Sequence, residues 1–114
     1  MLKHKVVLVP FPFDDLSSAK VRPAVCLTDT IGVHRHVVLA FITSRVVTHP
    51  SATDIVIDSS SNDFASTGLH VSSTLQLHRL ITVTASLILR ELGSLPPRLQ
   101  QEVNAGLRKL LDLK

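Results

Sequence analysis

The chain has 114 residues, a formal net charge of +3 and a hydrophobic fraction of 45%. This length is typical of one domain, here residues 1–114, and the composition excludes intrinsic disorder. With four Phe and no Trp or Tyr, the core must be aliphatic, and an aromatic platform for stacking bases is not expected. The single cysteine excludes an intramolecular disulfide, and the net charge permits a polyanionic partner without requiring one.

No stretch of the sequence predicts secretion or membrane insertion. The start "MLKHK" leads into "VVLVPFPF", which is too short for a signal-peptide apolar region with a cleavage site. The longest apolar runs fall far short of the roughly 18 residues that span a bilayer. We therefore expect a cytoplasmic protein with no membrane association, and Cys26, within the apolar run "PAVCL", is expected to be a buried, inert thiol.

The first part of the chain predicts two strands around a polar loop. Residues 4–11, "HKVVLVPF", are rich in β-branched side chains, and Pro10 and Pro12 fit an edge or a strand end better than a central ladder. Residues 12–21 form the loop, and residues 22–28, "RPAVCLT", predict the second strand.

Four further segments have the composition of strands and are bounded by turn-forming residues: 36–43, 54–57, 69–83 and 86–92. The first of them is a continuous apolar run, which is typical of a strand buried on both faces. The third alternates in its middle, so that Leu75 and Leu77 point to one face while Gln76 and His78 point to the other.

The last segment changes from a strand period to a helical one. Between residues 97 and 113 the apolar side chains recur at helical spacing: Leu99, Val103, Leu107, Leu110 and Leu111. Pro97 suits the first helical turn, whereas Gly106 weakens the helix. Five or six short strands followed by one helix predict a mainly β fold with a strongly bent antiparallel sheet, such as an SH3-like small barrel.

Two groups at strand ends have side chains suited to phosphate. Arg22 precedes Pro23. From the residues alone it is first a solvated arginine at a strand start; the alternative is a guanidinium anchored on the strand, which can grip a phosphate with its planar fork. Thr43 and Ser44 end the most apolar strand, where their hydroxyls either face a groove or satisfy the backbone. No Gly-x-Ser-x-Gly elbow surrounds them, which disfavours a hydrolase nucleophile.

The six histidines do not form a metal-binding pattern. Zinc sites need three or four ligands, and neither HExxH nor Cys/His spacing occurs; a Gly-rich phosphate loop and a Rossmann fingerprint are also missing. We therefore expect no metal and no cofactor. His78 differs from the others because it alternates outward beside Gln76, so it is either an ordinary surface histidine or a group that transfers protons.

Four stretches, in this order, resemble the MazF/PemK family of toxins: "VVLVPFPFDDLSSAKVRPAV", "AFITSR", "TGLHVSSTLQLHRLITV" and "LILRELGSLPPRLQQEVNAGLRKLL". The resemblance covers nearly the whole chain. It implies an SH3-like barrel that forms a homodimer, and the growth-inhibiting toxin of a type II toxin–antitoxin system. It further implies a sequence-specific, metal-independent endoribonuclease that cleaves single-stranded mRNA, with a cognate antitoxin protein that blocks its groove.

The same resemblance assigns catalytic roles to Arg22, from the "RP" motif, and to Thr43. The implied reaction is attack of a 2′-hydroxyl on the adjacent phosphorus, which leaves a 2′,3′-cyclic phosphate and a 5′-hydroxyl end. Arg22 would stabilise the phosphoryl charge, and Thr43 would bind a phosphate oxygen or orient the 2′-hydroxyl. Residues expected to contact the RNA are Lys20, Ser44 and Gln76.

The chain departs from the family at two places. Members commonly carry Gly and an acidic residue just before the first strand, where this chain has His4 and Lys5. Some members place Arg and Asp where this chain has Gln76 and His78. Either His78 takes over proton transfer, or the activity is weaker or differently specific. Two alternatives stay open: a non-catalytic member that binds RNA or antitoxin, and a toxin that inhibits a protein such as DNA gyrase. The loop at residues 13–21 is expected to close over the RNA.

Overall fold

The computed structural model describes residues 1–11 and 20–114. Most of the predicted loop at residues 12–21, and with it most of the predicted gate, lies outside the described residues. The described chain forms six strands and one α-helix: β1 (Lys5–Phe11), β2 (Lys20–Cys26), β3 (His36–Thr43), β4 (Asp54–Ile57), β5 (Ser73–Thr84), β6 (Arg90–Ser94) and α1 (Pro97–Leu110). Two short 3₁₀ helices, Phe64–Thr67 and Ala85–Leu87, complete the fold.

The strands form one antiparallel sheet in the order β4-β5-β3-β2-β1-β6. The result is a mainly β half-barrel with a C-terminal helix, which confirms the predicted fold class. None of the helices in residues 1–11 and 20–114 is both long and apolar enough to cross a membrane.

Each face of the sheet carries its own apolar cluster, because successive side chains of a strand point to opposite faces. The helix face contains Val6, Val25, Ala40, Ile42, Leu75 and Leu77, together with Leu99 and Val103 of α1. The opposite face contains Val7, Val9, Ala24, Cys26, Val37, Leu39, Phe41 and Val83. Strand β3 contributes side chains to both clusters, which confirms the prediction from its continuous apolar run. Cys26 is fully buried, as its apolar surroundings in the sequence predicted.

The two strand prolines lie where a strand has one neighbour among the described strands. The ladder between β1 and β6 ends at Leu8, two residues before Pro10. The ladder between β2 and β3 begins at Ala24, one residue after Pro23. Proline has no N–H to donate to a neighbouring strand. Because neither proline has a ladder partner among the described residues on the second side of its strand, no ladder hydrogen bond is lost there.

Several predicted boundaries are wrong. Strand β2 begins at Lys20, two residues earlier than predicted, and β5 runs from Ser73 to Thr84. The segment predicted as a strand over 86–92 instead starts as a 3₁₀ helix, and β6 follows it and contains Gly93. Glycine is required there because a Cβ at Gly93 would lie 2.2 Å from the carbonyl oxygen of Ser66.

The C-terminal helix is confirmed, but it is shorter than predicted. It ends at Leu110 rather than Leu113, and Leu111 is 55% exposed instead of packing on the sheet. Gly106 lies against Leu77, so that a Cβ there would come within 2.5 Å of the Leu77 Cδ1 atom. The close approach of helix and sheet explains why this helix carries a glycine despite its weak helix propensity.

Candidate functional site

The pairing of β2 with β3 brings Arg22 beside Thr43. The ladder pairs Ala24 with Phe41 and Cys26 with Leu39, and the same antiparallel register, continued two residues, sets Arg22 opposite Thr43. Both side chains then belong to the face of the sheet that carries Ala24, Phe41 and Leu39, because alternate residues share a face.

Arg22 and Thr43 line one cleft of about 300 Å³. The remaining lining residues are Phe41, Ile42, Ser44, Arg45 and Arg79. Phe41 is buried and forms an apolar floor, whereas the three arginines are exposed at the rim. Ile42 is also buried, but its side chain belongs to the cluster on the helix face. The cleft therefore combines an apolar floor with three exposed cationic side chains and two hydroxyl groups.

Arg79 reaches the cleft because β5 is irregular at this point. Ala40 pairs with Leu80 and Ile42 pairs with Leu75, so residues 76–79 of β5 stand opposite Phe41 alone. A bulge of this kind re-aims side chains and is frequent beside functional sites. The guanidinium carbon of Arg79 lies 5.7 Å from the centre of the Phe41 ring, a distance that allows cation–π attraction.

Arg45 is placed by a buried threonine on β5. The Thr74 hydroxyl donates to the carbonyl oxygen of Arg45 at 2.8 Å and accepts from the Val47 N–H at 3.4 Å. Thr74 also pairs with Thr43 in the sheet and is fully buried. The segment that follows β3 is thus tied to the neighbouring strand, which keeps Arg45 at the cleft.

The electrostatics of the cleft favour an anion. Three guanidiniums and no carboxylate are among its described lining residues, and positive charges converging on a concave surface raise the local concentration of anions. Guanidinium forks and hydroxyl groups together supply donors for the oxygens of a phosphate. The arrangement is suited to binding a phosphodiester backbone.

The cleft unites three of the predicted site residues and leaves three outside its lining. Arg22, Thr43 and Ser44 line it, whereas Lys20, Gln76 and His78 do not. Lys20 is exposed on β2, two residues before Arg22 and on the same face. Gln76 and His78 lie on β5, on the face that also carries Thr74.

Sequence reasoning missed Arg45 and Arg79. Arg45 directly follows the "TS" pair that ends β3, and this adjacency was an available signal. For Arg79 no signal exists in the sequence, because the strand alternation that places Gln76 and His78 gives no indication of the bulge.

A larger cavity of about 730 Å³ lies elsewhere and contains no predicted site residue. Its charged lining residues are Asp29 and Glu91 together with Arg35 and Arg90. Because opposite charges are mixed there, the cavity has no preference for a polyanion, and the smaller cationic cleft is the stronger candidate site. Over residues 1–11 and 20–114, no cluster of three or more His, Cys, Asp or Glu side chains could hold a metal ion.

Comparison with known proteins identifies the family. The model of PemK-like, MazF-like toxins of type II toxin–antitoxin systems matches residues 3–111. The chain belongs to this toxin family. No curated protein sequence matches the chain.

Solved structures of MazF toxins share the fold of this family member. The Mycobacterium tuberculosis toxin MazF-mt6 has 22% identity and a TM-score of 0.71, over 96% of this chain and 98% of that one. MazE–MazF from Deinococcus radiodurans has 19% identity and a TM-score of 0.72, over 97% and 95%. A mycobacterial endoribonuclease in complex with its cognate antitoxin has 17% identity and a TM-score of 0.70, over 100% and 97%.

Proposed function

We propose that this chain is the toxin of a type II toxin–antitoxin pair and acts as a sequence-specific endoribonuclease on single-stranded mRNA without a metal ion. The observation that carries the proposal is that Arg22 and Thr43, assigned from the family resemblance, line one cleft with two further arginines. The likeness to a protein named an endoribonuclease in complex with its antitoxin also supports it.

The cleft suits one phosphodiester of an RNA strand together with its neighbours. The Arg22 guanidinium can donate two parallel hydrogen bonds to the oxygens of the scissile phosphate. Arg45 and Arg79 on the same rim would contact the flanking phosphates, and Lys20, Ser44 and Gln76 would extend the contact along the strand. Such a surface favours single-stranded RNA, whose bases are free to splay outward.

The proposed reaction is transesterification within the RNA. The 2′-hydroxyl oxygen attacks the adjacent phosphorus while the bond to the 5′-oxygen breaks, which leaves a 2′,3′-cyclic phosphate and a 5′-hydroxyl. Negative charge builds on the non-bridging oxygens in the transition state, where the guanidinium of Arg22 would stabilise it. Thr43 would orient the 2′-hydroxyl or hold a non-bridging oxygen. Loss of one such preorganised donor typically slows a reaction about 100- to 1,000-fold.

The test is cleavage of a long single-stranded RNA in EDTA, with chemical identification of the new ends. We expect discrete fragments that carry 5′-hydroxyl and 2′,3′-cyclic phosphate ends. Arg22→Ala should slow cleavage about 100- to 1,000-fold, and Arg22→Lys should remain impaired because an ammonium lacks the planar fork. Arg108→Ala is the matched control, since Arg108 is exposed near the end of α1 and outside the cleft lining.

Each outcome of this assay has a clear meaning. Fragments that depend on Arg22 and Thr43 but not on Arg108 support the proposal. RNA binding without cleavage would favour the non-catalytic alternative. Growth arrest with intact RNA and relaxed plasmid DNA would favour inhibition of DNA gyrase.

We propose further that a cognate antitoxin neutralises the toxin by covering the cleft. The three arginines of the cleft predict an antitoxin segment with acidic side chains, because opposite charges steer association and fix its register. The chain is also proposed to form a homodimer, which light scattering at several protein concentrations would test. An antitoxin that leaves the RNA cleavage rate unchanged when bound would contradict the first of these proposals.

A further inference from the structure

Asp54, at the start of β4, presents a buried carboxylate with an unused oxygen. Its side chain is 5% exposed. One oxygen, Oδ2, accepts a hydrogen bond from the Ser51 N–H at 2.9 Å, whereas Oδ1 is buried and has no hydrogen-bond partner among the described residues. A buried carboxylate oxygen gives up its hydrogen bonds to water, and without a protein partner this desolvation costs free energy. The oxygen is therefore available to accept a hydrogen bond from a nearby side chain.

The available donor is His78. Its Nδ1 atom lies 3.9 Å from Oδ1 of Asp54, and its side chain is 49% exposed. A rotation that shortens this separation by about 1 Å would form a charge-assisted hydrogen bond of ordinary length. The neighbouring backbone is fixed, because Asp54 pairs with Gln76 and the Leu77 N–H donates to the Thr53 carbonyl oxygen at 3.2 Å. The carboxylate thus faces one nitrogen of the ring from a rigid position.

The pair lies next to the arginine cleft. Asp54, Gln76 and His78 occupy the sheet face that also carries Thr74 and its cross-strand partner Thr43. His78 is followed directly by Arg79, which lines the cleft. An RNA strand that runs from Arg22 across Thr43 towards β4 would pass the exposed edge of this imidazole.

The geometry points to Asp54 as a positioning residue that holds His78 for proton transfer, a role that rests on the proposed nuclease function. When Asp54 accepts the Nδ1–H proton, Nε2 of His78 keeps its lone pair and faces outward, where it can act as a general base. As the bond between O2′ and phosphorus forms, the 2′-hydroxyl proton passes to Nε2. The leaving 5′-oxygen takes a proton from water, and the resulting hydroxide removes the proton from the imidazolium, so no proton is gained or lost overall.

The first test is the tautomer of His78, which nitrogen-15 NMR measures without any RNA. In the neutral ring of the wild-type protein we expect the proton on Nδ1. In Asp54→Asn the amide oxygen can still accept the hydrogen bond from the Ser51 N–H, so the NH₂ group turns towards Nδ1 of His78. Because the NH₂ group donates, Nδ1 must accept, and the ring proton moves to Nε2. The same carboxylate-to-amide change enforces the wrong tautomer in a Ser-His-Asp triad. Asp58→Asn is the matched control, because Asp58 is an exposed carboxylate directly after β4 that binds Ser60.

The second test is the rate of RNA cleavage at saturating substrate. His78→Gln and Asp54→Asn should each lower kcat about 100-fold, which is the lower range for general acid–base catalysis, with little change in KM. The double variant should be no slower than His78→Gln alone, because Asp54 acts only through His78. Asp58→Asn should keep the wild-type rate.

The outcomes separate this inference from the proposed function. A wild-type His78 that carries its proton on Nε2 overturns the pairing, and this measurement does not depend on how the variants fold. If RNA is cleaved but Asp54→Asn keeps both rate and tautomer, the role of Asp54 is wrong while the nuclease proposal stands. If the wild-type protein cleaves no RNA, the nuclease proposal fails and the proton-transfer role fails with it.

Discussion

His4 should destabilise this protein, and replacing it with glycine should make the fold more stable. Its φ angle is +73°, in the left-handed region that costs a residue with a Cβ about 1–2 kcal/mol. The backbone is held there because the His4 N–H donates to the Cys26 carbonyl oxygen at 2.7 Å, while the Leu95 N–H donates to the His4 carbonyl oxygen at 2.9 Å. The His4 Nδ1 atom is also buried without a hydrogen-bond partner among the described residues.

The expected gain follows from two opposing terms. His4→Gly removes about 1–2 kcal/mol of backbone strain, and both backbone hydrogen bonds survive the change. Glycine also gives the unfolded chain more freedom, which opposes folding by about 0.5–1 kcal/mol. The net effect is an increase of about 0.5–1 kcal/mol in the free energy of unfolding. The glycine that family members commonly carry at this position is consistent with a backbone that requires a positive φ.

The gain should grow as the pH is lowered. Burial lowers the pKa of His4 below its ordinary value of 6.5, and the positive charge of Lys3 lowers it further. The negative charge of Asp29 acts in the opposite direction but is a smaller effect. The unfolded chain therefore binds more protons below pH 6.5, so the wild-type protein loses stability as the pH falls from there through the folded-state pKa. Asp58 and Asp63 have pKa values lowered from 3.8, so their stabilising contributions persist to more acidic pH.

Urea unfolding followed by circular dichroism at pH 8 and pH 5 provides the assay. His34→Gly is the matched control, because His34 lies in the turn before β3 and outside the left-handed region; it should lose about 0.5–1 kcal/mol. The reasoning is refuted if His4→Gly is less stable than the wild-type protein at both pH values. It is also refuted if His4→Gly and His34→Gly lower the free energy of unfolding by the same amount.

Three further predictions concern other parts of the molecule. Gly93→Ala should lower the free energy of unfolding by about 3 kcal/mol in urea titrations, because its Cβ would meet the Ser66 carbonyl oxygen at 2.2 Å; an unchanged midpoint would contradict this. Arg79→Gln should reduce the slope of log K for RNA against log salt concentration by about 0.7, whereas Arg108→Gln should leave the slope unchanged. Burial raises the pKa of Cys26 to about 11, so iodoacetamide at pH 8 should label it only in denaturant, and rapid labelling of the native protein would be inconsistent with the structure.

Most of the secondary structure is readable from local patterns. The apolar run of β3 indicated a strand, and the helical spacing of apolar residues in α1 indicated a helix. Both patterns work because the spacing of apolar side chains along the sequence follows the repeat of the backbone. The boundaries around β6 were wrong, since the 3₁₀ helix Ala85–Leu87 and the position of Gly93 depend on packing against β1 and against the 3₁₀ helix Phe64–Thr67. Local propensity carries no information about those distant partners.

The cleft was accessible from the sequence only in part. Arg22 and Thr43 came from a family resemblance, and the alternation of strand residues explains why they share a face once the register is known. Ser44 followed from the same motif. Arg79 could not be predicted, because a four-residue bulge opposite Phe41 re-aims it, and such a bulge depends on how β5 pairs with two different strands.

The sequence by itself predicted five or six strands along the chain and the apolar face of the terminal helix, and its resemblance to a family pointed to Arg22 and Thr43. Only the tertiary structure decided that three arginines meet at one cleft, that His4 lies in a left-handed conformation and that Asp54 faces His78. The physical reason is that the strand and helix patterns of the first set depend on neighbours within a few positions of the chain. The second set depends on strand pairing between residues tens of positions apart, where one bulge or one register shift changes which side chains meet.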